Sequence, residues 1–258
     1  MSQFVDKLKR VSQVAPQPIG FRATQPTSAK PRILLIASLA QADIDGLADQ
    51  VAGVDAGLLR IAKLSPGAKA FAKVSQAVSD IPWGGWLEGI AEGEVERMAK
   101  IGFDFVVFPP DSTSLAILKD EKVGKILEVG ESLSEGLLPA IDELPVDAVL
   151  IAGEKEGEYF LTWQHLMFFQ RCADLLTKPL LFSIPSYVSA NELQALWEAG
   201  VSGVVAGVGA GQPAERLAEL RQVIDKLALP SQRKRRKAEA LLPHIDISEE
   251  ADIATEEE

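Results

Sequence analysis

The sequence contains few of the side chains on which enzyme chemistry and disulfide-stabilised folds depend. Its 258 residues include one cysteine, Cys172, and two histidines, His165 and His244. A single cysteine forms no internal disulfide, and no Cys/His cluster has the spacing of a structural zinc site. Two isolated histidines argue against a Ser/His/Asp triad and against a histidine-rich metal site. Any divalent metal would rely on carboxylates, which favours Mg²⁺ over zinc.

Long apolar runs are also missing. No stretch approaches the roughly 18 to 20 uncharged residues needed to span a bilayer, and the N-terminus lacks the apolar region of a signal peptide. With the single cysteine, this predicts a cytoplasmic protein without a transmembrane segment. The composition, 47% hydrophobic and 24% charged, is that of an ordinary globular protein.

The net charge of −11 is unevenly distributed. Residues 1–32 are basic, and residues 231–258 contain a basic run from Arg233 to Lys237 followed by an acidic end. Most of the negative charge therefore lies between these two parts. A body of this charge repels phosphate backbones, which argues against nucleic acid as the main partner.

The chain divides into three predicted parts. Residues 1–31 contain a short basic amphipathic helix, predicted over residues 2–14, and an irregular proline-containing connector. Residues 32–230 form the repeating part, and residues 231–258 form a charged tail. We interpret the helix as a plug for the bottom of a barrel and the tail as a solvated extension. Docking of either segment to a partner, or of the helix to a membrane surface, is the alternative.

Eight short apolar runs, each followed by a helix-like segment, make up residues 32–230. They are Ile33–Ser38, Leu58–Lys63, Trp83–Glu88, Phe103–Phe108, Lys125–Val129, Ala148–Ala152, Leu180–Ile184 and Gly203–Val208. Strand and helix alternating eight times predict an α/β fold, a (β/α)8 TIM barrel with parallel strands. The fourth helix, over residues 114–120, is expected to be short or distorted.

Active sites of such barrels lie at the carboxyl ends of the strands, so the polar residues there are the candidates. Lys63 and Glu128 stand out because they fall within or at the end of apolar strands. If both face inward, a buried lysine can act as a base or Schiff-base nucleophile and a desolvated Glu can act as a general acid. A structural ion pair inside the barrel, formed by Glu128 with Lys63 or with Arg60 instead, is the alternative. Further candidates at this end are Glu88, Asp111 and Glu154.

The stretch from residue 179 to 211 reads PLLFSIPSYVSANELQALWEAGVSGVVAGVGAG. It resembles the seventh and eighth units of phosphate-binding barrels, a group that includes thiamine-phosphate synthase, the tryptophan-pathway barrels and FMN-dependent oxidoreductases. The resemblance implies a phosphate held by Ser186, Gly207, Gly209 and Gly211. Glycines let backbone N–H groups approach an anion, which a helix N-terminus also favours. A glycine-rich turn without a ligand is the alternative.

The sequence departs from that group after the seventh strand. Where those families usually show a Gly-Gly turn, this chain has Ile184-Pro185-Ser186. Proline has no backbone N–H to donate to a phosphate.

Three hypotheses follow. The first is a lyase, synthase or isomerase that binds a small phosphorylated metabolite, with Lys63 and Glu128 transferring protons. The second places the phosphate of FMN in the same turn and makes the protein a flavin oxidoreductase. The third is a non-catalytic barrel that acts as a scaffold or assembly subunit, and a homo-oligomer is compatible with all three.

Overall fold

A computed structural model describes residues 2–12, 32–40, 46–130, 133–153, 160–185, 187–208 and 215–227. Within these residues eight parallel strands pair in sequence order, and β8 pairs with β1 to close the barrel. The strands are β1 (Leu34–Leu39), β2 (Ala56–Ile61), β3 (Trp83–Leu87), β4 (Phe105–Phe108), β5 (Gly124–Gly130), β6 (Ala148–Ala152), β7 (Leu180–Ser183) and β8 (Val201–Val208). The predicted (β/α)8 barrel is confirmed.

Helices precede the barrel and connect its strands. They are α1 (Gln3–Ser12), α2 (Leu47–Gln50), α3 (Leu64–Ala77), α4 (Val95–Ile101), α5 (Leu138–Glu143), α6 (Trp163–Leu175), α7 (Ala190–Glu198) and α8 (Arg216–Lys226). Between β4 and β5, where every residue is described, the connection contains only a 3₁₀ turn, Leu115–Lys119. The expectation of a short or distorted fourth helix is therefore confirmed. In the described part of the chain, no helix has the length and apolar character needed to cross a membrane.

Alternate residues along each strand enter two separate cores, as the two-residue period of a strand requires. Inside the barrel lies the luminal core, formed by Phe4, Leu8, Leu34, Ile36, Ala56, Leu58, Trp86, Phe105, Val107, Ile126, Ala148, Leu150, Leu181 and Val205. The intervening residues, such as Leu59 and Ile61, pack against helix residues such as Phe71 and form the outer core. Membership of one core or the other shows which strand residues can reach a site inside the barrel.

Glycines in β2 and β3 make room for aromatic rings. A Cβ atom on Gly57 would lie 2.3 Å from Cζ3 of Trp83, and one on Gly84 would lie 2.5 Å from Cε2 of Phe105. The neighbouring Gly85 is approached in the same way by Phe103. These glycines are explained by close approach of the protein's own rings.

The amino-terminal end of the barrel is closed by α1. Phe4 and Leu8 extend into the luminal core, and the ring centroid of Phe4 lies 4.5 Å from that of Phe105. The predicted plug at the bottom of the barrel is confirmed. Ligand access to the lumen is therefore restricted to the opposite end, where the strands terminate.

Three aspartates support the bottom of the barrel. Asp55, Asp104 and Asp147 each immediately precede an even-numbered strand. The Asp104 carboxylate accepts a 2.9 Å hydrogen bond from the backbone N–H of Phe4, and Lys9 Nζ lies 2.9 Å from Oδ1 of Asp147. The side chains of Asp104 and Asp147 thus fix the position of α1 under the barrel, whereas the Asp55 carboxylate contacts Arg221 of α8.

Candidate active site

Above the luminal core the inward-facing positions become polar. The next inward-facing residues beyond this core are Ser38 on β1, Arg60 on β2, Glu128 on β5 and Gly207 on β8. These positions lie at the carboxyl end of the barrel, which we call the mouth. Active sites of (β/α)8 enzymes are built at this end.

Glu128 is the buried acid of the mouth. Glu128 lies on β5, and the residue is only 9% exposed. Its Oε2 accepts a 2.7 Å hydrogen bond from Nε1 of Trp86, which is 6% exposed in the luminal core. Because an indole N–H is a donor only, Oε2 is the acceptor in this bond, and the ring fixes the orientation of the carboxyl group.

Arg60 places a cation against the same tryptophan. Its guanidinium carbon lies 4.0 Å from the centroid of the Trp86 ring, and the residue is exposed. A guanidinium stacked on an aromatic face is held in position while its edge donors stay available. Trp86 therefore contacts the cation with its face and the Glu128 carboxylate with its N–H.

The predicted meeting of Lys63 and Glu128 inside the lumen is wrong. Strand β2 begins at Ala56, two residues earlier than predicted, and Lys63 lies beyond its end as the exposed N-cap residue of α3. Leu59 and Ile61, which share a strand face with it, belong to the outer core. Arg60, considered as the alternative partner, occupies the inward-facing register instead.

Lys63 borders a different cavity. A cleft of 430 Å³ runs between the end of β2 and α3, where Lys63 lies near Pro66 and Ala70. The outer-core residues Leu59 and Ile61 also line this cleft, as does Arg60. A role of Lys63 at the Glu128 carboxyl group has no support in this geometry.

Glu88 and Asp111 are both exposed at the mouth. The Ser112 hydroxyl donates a 2.7 Å hydrogen bond to the carbonyl oxygen of Glu88, and its Oγ lies 3.2 Å from Oδ1 of Asp111. Ser112 thereby connects the loops that follow β3 and β4. Glu154 lies outside the described residues. Of the residues that the structure describes, none form a group of three or more His, Cys, Asp or Glu suited to a metal ion.

Only part of the predicted phosphate turn is described. Gly207 is exposed near the end of β8, and in the sheet register it is paired with Ser38 of β1. Ser186, Gly209 and Gly211 lie outside the described residues. The structure therefore places the start of the predicted turn at the mouth, beside the first strand.

Sequence reasoning named Arg60 only as an alternative and missed Trp86 as the partner of the buried acid, although a signal for the inward position of Arg60 was present. An Asp preceded by an apolar residue stands directly before β2, β4 and β6, in Val54-Asp55-Ala56, Phe103-Asp104-Phe105 and Val146-Asp147-Ala148. If the second strand is aligned with the fourth and sixth strands on this Asp, it begins at Ala56. The side chains of Ala56, Leu58 and Arg60 then face the lumen, because alternate residues of a strand share a face.

Comparison with known proteins gives similarity in fold alone. No family model matches the sequence, and no curated protein matches it. A mutant tryptophan synthase α-subunit from Pyrococcus furiosus has a TM-score of 0.58 at 14% identity, covering 75% of this chain and 97% of that chain. Orotidine 5′-phosphate decarboxylase from Pyrococcus horikoshii gives 0.55 at 14% identity, with 74% and 100% coverage. Tryptophan synthase from Mycobacterium tuberculosis gives 0.59 at 13% identity, with 86% and 95% coverage. These values show that the chain shares the (β/α)8 architecture of these proteins.

Proposed function

We propose that the protein is an enzyme that acts on a small phosphorylated metabolite, as a lyase, synthase or isomerase, at the mouth of its barrel. The observation that carries the proposal is the environment of Glu128. A carboxyl group 9% exposed at the top of an otherwise apolar lumen, oriented by an indole N–H, is the arrangement that acid–base catalysis needs.

In this proposal Glu128 exchanges a proton with the substrate. The Trp86 N–H fixes one carboxyl oxygen, so the other can face the reacting atom within about 2.6 to 3.2 Å. Arg60, stacked over the same indole, supplies positive charge where negative charge develops on the substrate. The pair of opposite charges around one rigid ring gives the substrate a defined orientation.

The phosphate of the substrate is assigned to the turn after β8. Gly207, Gly209 and Gly211 let backbone N–H groups approach an anion, with Ser186 as a hydroxyl donor. Helix α8 follows the turn, and a helix N-terminus favours a bound anion. One of the proteins that share the fold, orotidine 5′-phosphate decarboxylase, acts by its name on a phosphate ester.

Binding of phosphorylated metabolites to the purified protein tests the proposal. A panel of sugar phosphates and phosphorylated carboxylic acids is screened by thermal shift and confirmed by calorimetric titration. Gly209→Asp adds a carboxylate to the turn and should remove most of the affinity. The control is Gly93→Asp, which adds the same charge to an exposed turn after β3, where a Cβ meets nothing within 4 Å. The proposal fails if no compound binds or if Gly209→Asp binds as the unchanged protein does.

A further inference from the structure

Ser38 carries a buried hydroxyl that the fold itself does not use. The residue is 4% exposed, and its Oγ has no hydrogen-bond partner among the residues that the structure describes. Leaving a buried hydroxyl unpaired costs about 1 to 3 kcal/mol, and nearly all such groups in folded proteins have a partner. The hydroxyl of Ser38 therefore needs an explanation outside the protein's own hydrogen bonds.

The position of Ser38 points to the mouth. Leu34 and Ile36, on the same face of β1, both belong to the luminal core, whereas Leu35 and Ala37 belong to the outer core. Ser38 is thus the inward-facing residue directly above Ile36, at the carboxyl end of the first strand.

Its neighbours on both sides are parts of the proposed binding site. In the sheet register Ser38 is paired with Gly207 of β8 and with Leu58 of β2. Adjacent strands lie about 4.8 Å apart, so the backbone of Gly207 is within reach of a group that also contacts Ser38. Arg60 lies two residues beyond Leu58, at a diagonal distance of about 8 Å from strand spacing and rise.

A second buried serine shows that position, and not burial alone, distinguishes Ser38. Ser202 is 1% exposed, and within the described part of the chain its Oγ has no hydrogen-bond partner either. It is the second residue of β8, five positions before Gly207, so it lies toward the end of the barrel that α1 closes. About 16 Å of strand separates it from the mouth, which is too far for a small ligand bound there.

We propose that Ser38 is a ligand-binding residue whose hydroxyl hydrogen-bonds a hydroxyl group of the substrate close to its phosphate. This inference rests on the proposed function, because the phosphate is placed at the turn that begins with Gly207. A hydroxyl one or two carbons from the phosphate then falls beside β1. A serine both donates and accepts a hydrogen bond, which matches an alcohol and leaves neither group unpaired. The substrate class is therefore a phosphate ester of a polyol or sugar.

Two probes separate the Ser38 contact from the phosphate contact. Inorganic phosphate and glycerol 3-phosphate are titrated calorimetrically into the full chain and into Ser38→Ala and Ser202→Ala. We expect glycerol 3-phosphate to bind the unchanged protein more tightly than inorganic phosphate. Ser38→Ala should lose about tenfold in affinity for glycerol 3-phosphate, the size of one hydrogen bond, and less than about twofold for inorganic phosphate. Ser202→Ala should change neither affinity.

The outcomes distinguish the two proposals. If Ser38→Ala binds glycerol 3-phosphate as the unchanged protein does, the role of Ser38 is refuted while phosphate binding stands. The same refutation follows if Ser202→Ala causes an equal loss, since the effect is then one of packing. If neither probe binds the unchanged protein, phosphate binding at the mouth fails and the inference fails with it. Melting temperatures without ligand, expected to be no lower in Ser38→Ala, verify that the variant is folded.

Discussion

Nε1 of Trp86 on β3 donates a 2.7 Å hydrogen bond to Oε2 of Glu128 on β5. Strand β4 lies between these strands in the barrel wall, where Val107 pairs with both Trp86 and Ile126. The bond therefore passes through the lumen and does not follow the sheet. The contact spans one intervening strand on the inner face of the curved sheet, and it fixes the acid at the mouth relative to β3.

The first prediction concerns this bond. Trp86→Phe removes the N–H and leaves a buried carboxyl oxygen without its donor, so we expect the free energy of unfolding to fall by about 2 to 3 kcal/mol. Urea denaturation measures the change. Trp83→Phe is the matched control because Trp83 Nε1 donates, also at 2.7 Å, to the neutral carbonyl oxygen of Val78. Equal losses in the two variants would show that the carboxylate adds nothing to the bond.

The second prediction compares two cations at the end of β2. Arg60→Gln should weaken binding of inorganic phosphate or of a phosphorylated ligand about fivefold to tenfold, since it removes a guanidinium from the mouth. Lys63→Gln should change the affinity by less than about twofold, because Lys63 lies outside the lumen at the start of α3. Calorimetric titration provides the affinities. A larger loss in Lys63→Gln would contradict the assignment of Arg60.

The third prediction concerns the attachment of α1. Asp104 accepts hydrogen bonds from the Ser2 hydroxyl (2.8 Å) and from the backbone N–H groups of Gln3 (2.8 Å) and Phe4 (2.9 Å). Asp104→Ala should therefore lower the free energy of unfolding by about 2 to 4 kcal/mol, as expected for loss of a helix cap together with further hydrogen bonds.

Hydrogen exchange reports where the Asp104→Ala loss occurs. Amides of α1 should exchange faster than those of the strands, because the helix loses its support before the barrel opens. Asp6→Ala, in the first turn of the same helix, serves as the control. Uniform acceleration across the strands would instead mean that Asp104 stabilises the barrel as a whole.

The fourth prediction concerns glycines that accommodate rings. Gly57→Ala and Gly84→Ala place a methyl group 2.3 Å and 2.5 Å from buried rings, and each should cost about 1 to 3 kcal/mol through overpacking. Gly93→Ala, with nothing within 4 Å of its Cβ, should leave stability unchanged or slightly raised. Thermal unfolding of the three variants gives the comparison. Normal stability of Gly57→Ala would mean that the Trp83 ring can move.

Much of the barrel was predictable because its signals are local. Strands such as Ala148–Ala152 are buried on both faces and therefore read as continuous apolar runs. Helix α7 begins where Ser189 accepts the backbone N–H of Glu192, and the Glu192 carboxylate bonds back to Ser189. Because a capping box is formed by residues close together in the sequence, the start of the helix could be predicted without knowledge of the fold.

The start of β2 was not predictable in the same way. Ala56 and Gly57 give no apolar signal, and Gly57 belongs to the strand because the ring of Trp83 packs over it. Moving the start of a strand by two residues leaves the alternation intact, but it moves the strand end from Lys63 to Ile61. The prediction also assigned the wrong face to the lumen, because both faces of the strand are apolar.

The sequence by itself determined the number of strands, their parallel order and the plug helix, because these follow from the apolar periodicity along the chain. Only the tertiary structure decided which charged residues meet at the mouth. Arg60 and Glu128 lie 68 positions apart and are connected through Trp86, whose orientation depends on barrel curvature and on the rings packed around it. A pattern along the chain indicates burial, whereas contacts between strands on the inner face of the barrel arise from the register and curvature of the sheet.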